Sequence, residues 1–167
     1  MKGTIILILS TFFILSSLTI LAQQEHKHDH DGHDHHHKKN EIGGAVGAVF
    51  NLNEQEVAPG FHLHYTRMFD GKLRHFGLSP GFGFLIGDHN HFAFHLMLIY
   101  RPIHGWWIGA GPGITYFDHH DEWAASGHFE TGYEFDLGKI HLGPVIEYVV
   151  AKEDQHFMLG LHLGVPF

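Results

Sequence analysis

The feature that most constrains this chain is a strict alternation, in which every second residue is large and apolar over eight separate stretches. Successive side chains of a β-strand point to opposite faces, so a period of two predicts strands. In residues 91–101 one face of the predicted strand carries the apolar set Phe92, Phe94, Leu96, Leu98 and Tyr100. The sequence therefore predicts an all-β chain.

The residues between the apolar ones indicate which face points inward. In the last stretch they include Gly160, His162 and Gly164, and elsewhere they are largely glycine and histidine. A water-soluble barrel would expose this second face and carry Lys, Glu, Thr and Ser on it. Small and ionisable residues instead suit a narrow polar lumen, while aromatic and branched residues suit a lipid-facing band. A soluble sandwich or barrel with the bulky set inside stays open as the alternative.

Eight strands at the spacing of a meander predict an eight-stranded antiparallel up-and-down transmembrane β-barrel over residues 41–167. We place the strands at residues 42–52, 58–69, 73–86, 91–101, 106–117, 123–136, 140–150 and 156–167. Asp70-Gly71 is a hairpin signal on the side where both chain ends lie. Connections on the opposite side are longer and more acidic, as expected of outward-facing loops.

The start of the chain predicts export. Lys2, the apolar run 5–21 and the sequence Leu21-Ala22-Gln23 predict a signal peptide over residues 1–22, cleaved after Ala22. An uncleaved anchor helix is the alternative, because the run approaches spanning length. The absence of cysteine excludes disulfides and thiolate metal sites. A formal net charge of −8 leaves no electrostatic footprint for nucleic acid.

Residues 23–40 form a low-complexity segment with almost no apolar content, which predicts a disordered tail. Neutral imidazole with carboxylate, and without thiolate, suits Zn²⁺, Ni²⁺ or Cu²⁺, so we predict that the tail binds divalent transition metal, with zinc foremost. The predicted ligands are His26, His28, His30, His33, His35, His36, His37, Asp29, Asp31 and Asp34. A solvated, charge-balanced linker is the alternative.

A second candidate metal site lies in the loops opposite the tail. His119, His120 and Asp121 are consecutive in one loop, and other loops on that side carry further histidines and aspartates. Converging loops would therefore offer nitrogen and oxygen ligands. An ordinary hydrophilic rim is the competing interpretation, since the sequence enforces no tetrahedral spacing.

Parity also predicts a polar set inside the barrel. Buried charges need partners, so we expect Arg101 to pair with a glutamate. An eight-stranded barrel is only wide enough to be filled by side chains, which predicts a structural polar core and no free passage of solutes. The predicted lumenal residues are His62, His64, His75, His95, Arg101, His128, Glu130, Glu134, Glu147 and His162.

Over residues 42–167 the chain resembles the small eight-stranded outer-membrane β-barrels of Gram-negative bacteria. The sharpest element is Gly160-Leu161-His162-Leu163-Gly164-Val165-Pro166-Phe167, which is similar to the assembly signal whose final aromatic residue is read by the insertion machinery. Pro166 departs from that pattern, although a strand end tolerates proline better than a strand centre. The resemblance implies a monomer in the outer membrane, with outer-membrane lipid and the insertion machinery as partners and the tail in the periplasm.

Enzyme signatures are weak, and we expect no enzymatic activity. Some barrels of this kind modify lipid A with a paired His and Ser, which makes a lipid A-modifying enzyme the lesser alternative. Ser79 and Ser126 are the only serines of the barrel, and Ser126 precedes His128 in the reverse of the order His-x-Ser. Nucleophilic catalysis needs the base within hydrogen-bond reach of the hydroxyl.

These observations predict an outer-membrane barrel whose periplasmic tail binds metal, in metal buffering or in support of uptake. A metal transporter is the partner to which such a tail could hand its ions. The alternative is a structural or interaction barrel in which the histidines have no metal role.

Overall fold

The computed structural model describes residues 38–53, 55–87, 90–118, 121–152 and 154–167. The predicted signal peptide, the seven tail histidines and the three tail aspartates lie outside these residues. The described chain contains strands Asn40–Asn51 (β1), Val57–Met68 (β2), Phe76–Leu85 (β3), His91–Ile103 (β4), Trp106–Phe117 (β5), Glu122–Tyr133 (β6), Phe135–Asp136 (β7), His141–Ala151 (β8) and Gln155–Pro166 (β9). One short 3-10 helix, Gly71–Leu73, precedes β3.

The strands form one antiparallel sheet that closes on itself. Each strand from β1 to β6 pairs with the next, β6 and the short β7 both pair with β8, β8 pairs with β9, and β9 returns to β1. Strand β7 continues the wall of β6 after an interruption at Glu134, so the closed barrel has eight strand positions. This confirms the predicted eight-stranded antiparallel barrel, and closure leaves no open sheet edge.

The two faces of the wall are divided as parity predicts. Along β9, Leu161 is 52% exposed while the next residue, His162, is 1% exposed. Val46 and Phe94 likewise point outward, and Met97 points inward. An outer band of bare branched and aromatic side chains around a polar interior suits acyl chains rather than water.

The turn between β2 and β3 differs from the prediction. Residues 69–75 form a seven-residue connection that contains the 3-10 helix Gly71–Leu73. Asp70-Gly71 is therefore not the turn of a two-residue hairpin, although Gly71 does have a positive φ of 63°. His75 belongs to this turn and is exposed, so its predicted lumenal position is wrong. Parity applies only inside a strand, and β3 begins at Phe76 rather than at the expected Leu73. The predicted difference in length between the two sets of connections fails at this turn, because 69–75 is longer than the connections opposite, whereas 104–105 and 137–140 at the same end are short.

The two ends of the barrel differ in charge. The end that holds Asn40 and Phe167, here the terminus end, carries exposed basic side chains: Lys38, Lys39, Arg67, Lys72, Arg74 and Lys139. The opposite end, here the loop end, carries the acidic residues Asp118, Asp121, Glu122 and Asp154 among its described residues.

Within the described residues, no helix has the length and apolar character needed to cross a bilayer.

Candidate functional site

The lumen is built from histidines packed against glycines of neighbouring strands. A Cβ atom added at Gly113 would lie 2.7 Å from Nε2 of His128, and one added at Gly81 would collide with the ring of His95. The two residues of the second pair, Gly81 and His95, are register partners on β3 and β4. The alternation of glycine and histidine in the sequence therefore reflects packing inside the barrel. A glycine on one strand leaves the space that the imidazole ring of a neighbouring strand occupies.

A network of two glutamates and two histidines occupies the middle of the lumen. His128 donates from Nδ1 to Oε1 of Glu147 over 3.1 Å, and Nδ1 of His62 lies 3.3 Å from the other carboxylate oxygen. Nε2 of His62 lies 3.2 Å from Oε1 of Glu130. All four side chains are buried, as parity predicts. Each carboxylate thus has an imidazole beside it, as buried charges require.

The hydroxyl of Ser126 extends this network toward the loop end. Ser126 lies 3.1 Å from Nε2 of His128, whose Nδ1 contacts Glu147, and Ser126 accepts a hydrogen bond from Thr115 over 3.0 Å. The connectivity is that of a nucleophile, a base and an orienting acid. However, Ser126 is only 8% exposed and faces the lumen, on the side of the wall away from lipid. The arrangement therefore gives the hydroxyl no access to an acyl chain in the bilayer.

One layer closer to the terminus end, two histidines stack on each other. The rings of His64 and His162 are parallel within 6°, and their Nε2 atoms lie 3.2 Å apart, so one nitrogen donates and the other accepts. A cavity beside them, lined by His64, Trp107 and Glu130 among others, has a volume of about 10 Å³. That is room for a single water molecule. The lumen is filled at this level, in keeping with the expected barrier to free passage.

The terminus end of the lumen is closed by an ion-pair group. Nη2 of Arg101 lies 3.4 Å from Glu41 and 3.4 Å from Glu134, which confirms the expected pairing of Arg101 with a glutamate. His141 donates from Nδ1 to Glu41 over 2.8 Å. Sequence reasoning missed Glu41, because the predicted strand began one residue after it.

At the loop end, three residues from two strands and a loop converge into what we call the rim group: His91, Asp154 and His156. One ligand atom from each lies within 4.8 Å of the others. His156 donates to Oδ2 of Asp154 over 2.6 Å, and Asn51 donates to Oδ1 over 2.8 Å. Burial alone would raise the pKa of the Asp154 carboxyl, but the bond from His156, the nearby His91 and the bond from Asn51 outweigh burial and hold it below the ordinary 3.8.

The rim group is distinct from the loop site expected at residues 119–121. Asp121 is exposed, has φ 50° and accepts a hydrogen bond from the Tyr116 hydroxyl over 2.8 Å. His119 and His120 lie outside the described residues, so their part in a metal site stays a prediction. The sequence placed further histidines and aspartates at this rim, but it gave no sign that His91, Asp154 and His156 would meet.

Comparison with solved structures identifies proteins of the same fold. Neisserial surface protein A (NspA) superposes with a TM-score of 0.59 at 10% identity, over 77% of this chain and 96% of that one. The N-terminal β-barrel domain of Pseudomonas aeruginosa OprF gives 0.52 at 12% identity, over 77% and 98%. A de novo designed transmembrane β-barrel gives 0.54 at 13% identity, over 75% and 95%.

Neither the protein-family models nor the curated proteins provide a match to this sequence. The likeness to solved structures therefore concerns the fold, and it agrees with the closed pairing of β1 with β9 and the outward apolar band. The chain has the fold of the small eight-stranded outer-membrane β-barrels.

Proposed function

We propose that this protein is an outer-membrane β-barrel that binds divalent transition metal ions, with zinc foremost, through the histidine-rich tail of residues 23–40. The observation that carries this proposal is the density of imidazoles and carboxylates over residues 26–37. The lumen, where buried side chains leave a cavity of about 10 Å³, supports a role other than the passage of solutes. The outward band of apolar side chains supports placement in a bilayer.

The chemistry of the tail supports metal as the ligand. Seven histidines alternate with three aspartates over residues 26–37, and the chain has no cysteine. Several overlapping sets of imidazole and carboxylate ligands would hold an ion with moderate affinity, which suits buffering or transfer rather than permanent retention. Transfer would be to a metal transporter, with the tail on the periplasmic side.

The loop end supports the same chemistry on the other side of the membrane. The rim group supplies two imidazoles and one carboxylate within 4.8 Å, a ligand set that zinc accepts. The surrounding acidic residues attract cations. Metal held there would be in contact with the outside.

The test compares the folded mature protein with a variant in which the seven tail histidines are replaced by asparagine. Zinc bound at neutral pH is measured by elemental analysis after removal of free ions, and we expect the variant to lose most of it. Binding by the parent should weaken near pH 5.5, because imidazoles protonate around a pKa of about 6.5. A control with Gln23, Gln24 and Lys27 replaced by asparagine should bind as the parent does.

Unchanged zinc stoichiometry in the variant without tail histidines would overturn the assignment to the tail. Equal growth of the two strains under zinc limitation and under zinc excess would favour the structural or interaction barrel. Mass spectrometry of lipid A from cells with and without the protein tests the enzymatic alternative, for which we expect no difference.

A further inference from the structure

The ring of His95 is buried without hydrogen-bond partners. The side chain lies in the lumen on β4, the residue is 5% exposed, and neither ring nitrogen has a hydrogen-bond partner within the described residues. Leaving a buried polar group unpaired costs its full desolvation energy, and such groups mark places where water or an ion can be bound. Both ring nitrogens of His95 are therefore available to bind a ligand that the neighbouring side chains do not provide.

The neighbours of His95 are the types of group that ligate transition metals. The ring centroid of His128 lies 4.7 Å from that of His95, and one ligand atom each from His95, His128 and Glu147 lie within 4.8 Å of one another. The three come from different strands, β4, β6 and β8. We propose that His95, His128 and Glu147, here the lumenal site, bind one divalent transition metal ion of the zinc class inside the barrel.

The donor set and its freedom to adjust support this assignment. Two imidazoles and one carboxylate, with no sulfur, is a set that zinc uses in proteins. Tetrahedral ligand atoms around zinc lie about 3.3 Å apart, so the three ligand atoms, which lie within 4.8 Å of one another, must approach on binding. The His95 ring can move toward the ion without breaking a hydrogen bond. His128, whose Nδ1 contacts Glu147 and whose Nε2 contacts Ser126, would exchange one of these contacts for the bond to the ion. The His95 ring occupies the space that the absent side chain of Gly81 leaves.

The electrostatics of the layer favour a cation beside Glu147. Glu130 and Glu147 are register partners on β6 and β8, and both carboxylates are buried in the same layer. Like charges opposite each other destabilise a sheet, and a divalent ion at Glu147 would add to the attraction that the His62 ring supplies. His62 contacts both carboxylates, so it is an outer partner that holds Glu147 in place rather than a ligand.

Access to the lumenal site is closed from both directions. Toward the loop end the interior is packed with Val49, Leu85 and Met158, and toward the terminus end lie Trp107 and the ion pairs of Arg101. An ion in the middle layer can exchange only slowly while the barrel is folded. Slow exchange separates this ion from any ion held by the tail or the rim group, which chelators reach directly.

The experiment uses the full mature chain in which the seven tail histidines are replaced by asparagine, folded in the presence of zinc. After extended treatment with EDTA, we expect one zinc per barrel to remain, and to be released when the barrel is unfolded. His95→Gln and Glu147→Gln should each abolish the retained ion. His64→Gln, a buried histidine outside the lumenal site, and His156→Gln in the rim group should keep it.

This test of the lumenal site does not depend on the tail, because the chain that is measured has no tail histidines. The difference in bound zinc between the parent and the tail-substituted chain tests the tail separately. A folded, tail-substituted barrel without retained zinc overturns the lumenal site. Loss in His64→Gln together with retention in His95→Gln overturns the choice of ligands. Where His95→Gln fails to fold, X-ray absorption at the zinc edge decides, measured on the EDTA-treated, tail-substituted chain that also carries His156→Gln in the rim group. We expect two imidazoles and one carboxylate around the retained ion, and a ligand set with fewer than two imidazoles would overturn the assignment.

Discussion

Glu130 and Glu147 lie directly opposite each other on neighbouring strands, and the ring of His62 bridges their carboxylates with contacts of 3.2 and 3.3 Å. Two buried carboxylates in register would repel each other without that ring. The bridge joins β2 to the pair β6 and β8 across the lumen, so it links walls of the barrel that are not neighbours in the sheet.

Replacing the bridging imidazole should destabilise the barrel strongly. His62→Leu leaves two buried carboxylates without their common partner, and we expect a loss of about 3–5 kcal/mol in the free energy of unfolding. Urea titration of the barrel in lipid vesicles measures the loss. Adding Glu130→Gln to His62→Leu should recover part of it, and a purely additive result would show that the bridge does not couple these residues.

Glycine at position 81 should tolerate no side chain while histidine is at position 95. Gly81→Ala places a methyl group against the His95 ring, and we expect a cost of about 1–3 kcal/mol in the free energy of unfolding. Gly83→Ala is the matched control on the same strand, because the nearest atoms there are 3.8 Å away. Combining Gly81→Ala with His95→Ala should relieve the clash. Equal effects at positions 81 and 83 would contradict the packing argument.

The outer apolar band should reject charge according to depth. Leu161 lies near the middle of β9 and points outward, so Leu161→Arg should cost about 2–4 kcal/mol in a bilayer. Val57 is also exposed but begins β2 at the loop end, and Val57→Arg should cost about 0–1 kcal/mol. Unfolding in vesicles measures both variants. Equal costs at the two depths would show that this surface does not face hydrocarbon.

Asp154 should make the loop end sensitive to acid. Its pKa is lower in the folded chain than the ordinary 3.8, so its contribution to stability is complete above that value and is lost as the pH falls through the folded pKa. Unfolding curves for the parent and Asp154→Asn should therefore converge as the pH falls from about 5 to about 2. His156→Gln, which removes a donor to Asp154, should reduce the difference. A gap between parent and Asp154→Asn that does not change over this range would contradict the assignment.

The division of residues between lumen and lipid was predictable from the sequence, because a strand alternates strictly. Parity alone predicts that Leu161 faces outward and His162 inward, as the structure shows. The expected pairing of Arg101 with a glutamate follows from the rule that buried charges need partners. Parity failed where the backbone leaves the strand. His75 was placed inside because the 3-10 turn at Gly71–Leu73 was not anticipated.

Contacts between distant strands were not predictable in the same way. His95, His128 and Glu147 meet because of the strand register, which parity does not fix across the lumen. The rim group adds a loop residue, Asp154, whose position depends on a turn that the sequence pattern leaves open. A register shifted by two residues on one strand would have kept every residue on its face and given a different set of neighbours.

The opposite charges of the two ends make the barrel an electric dipole aligned with its own axis. Lys38, Lys72 and Arg74 give the terminus end a positive potential suited to anionic phospholipid headgroups, while Asp118, Asp121 and Glu122 give the other end a negative one. In a bilayer with one anionic face, these fields would favour one orientation of the barrel over its reverse. Raising the ionic strength weakens that preference, since screening acts on exposed charges first.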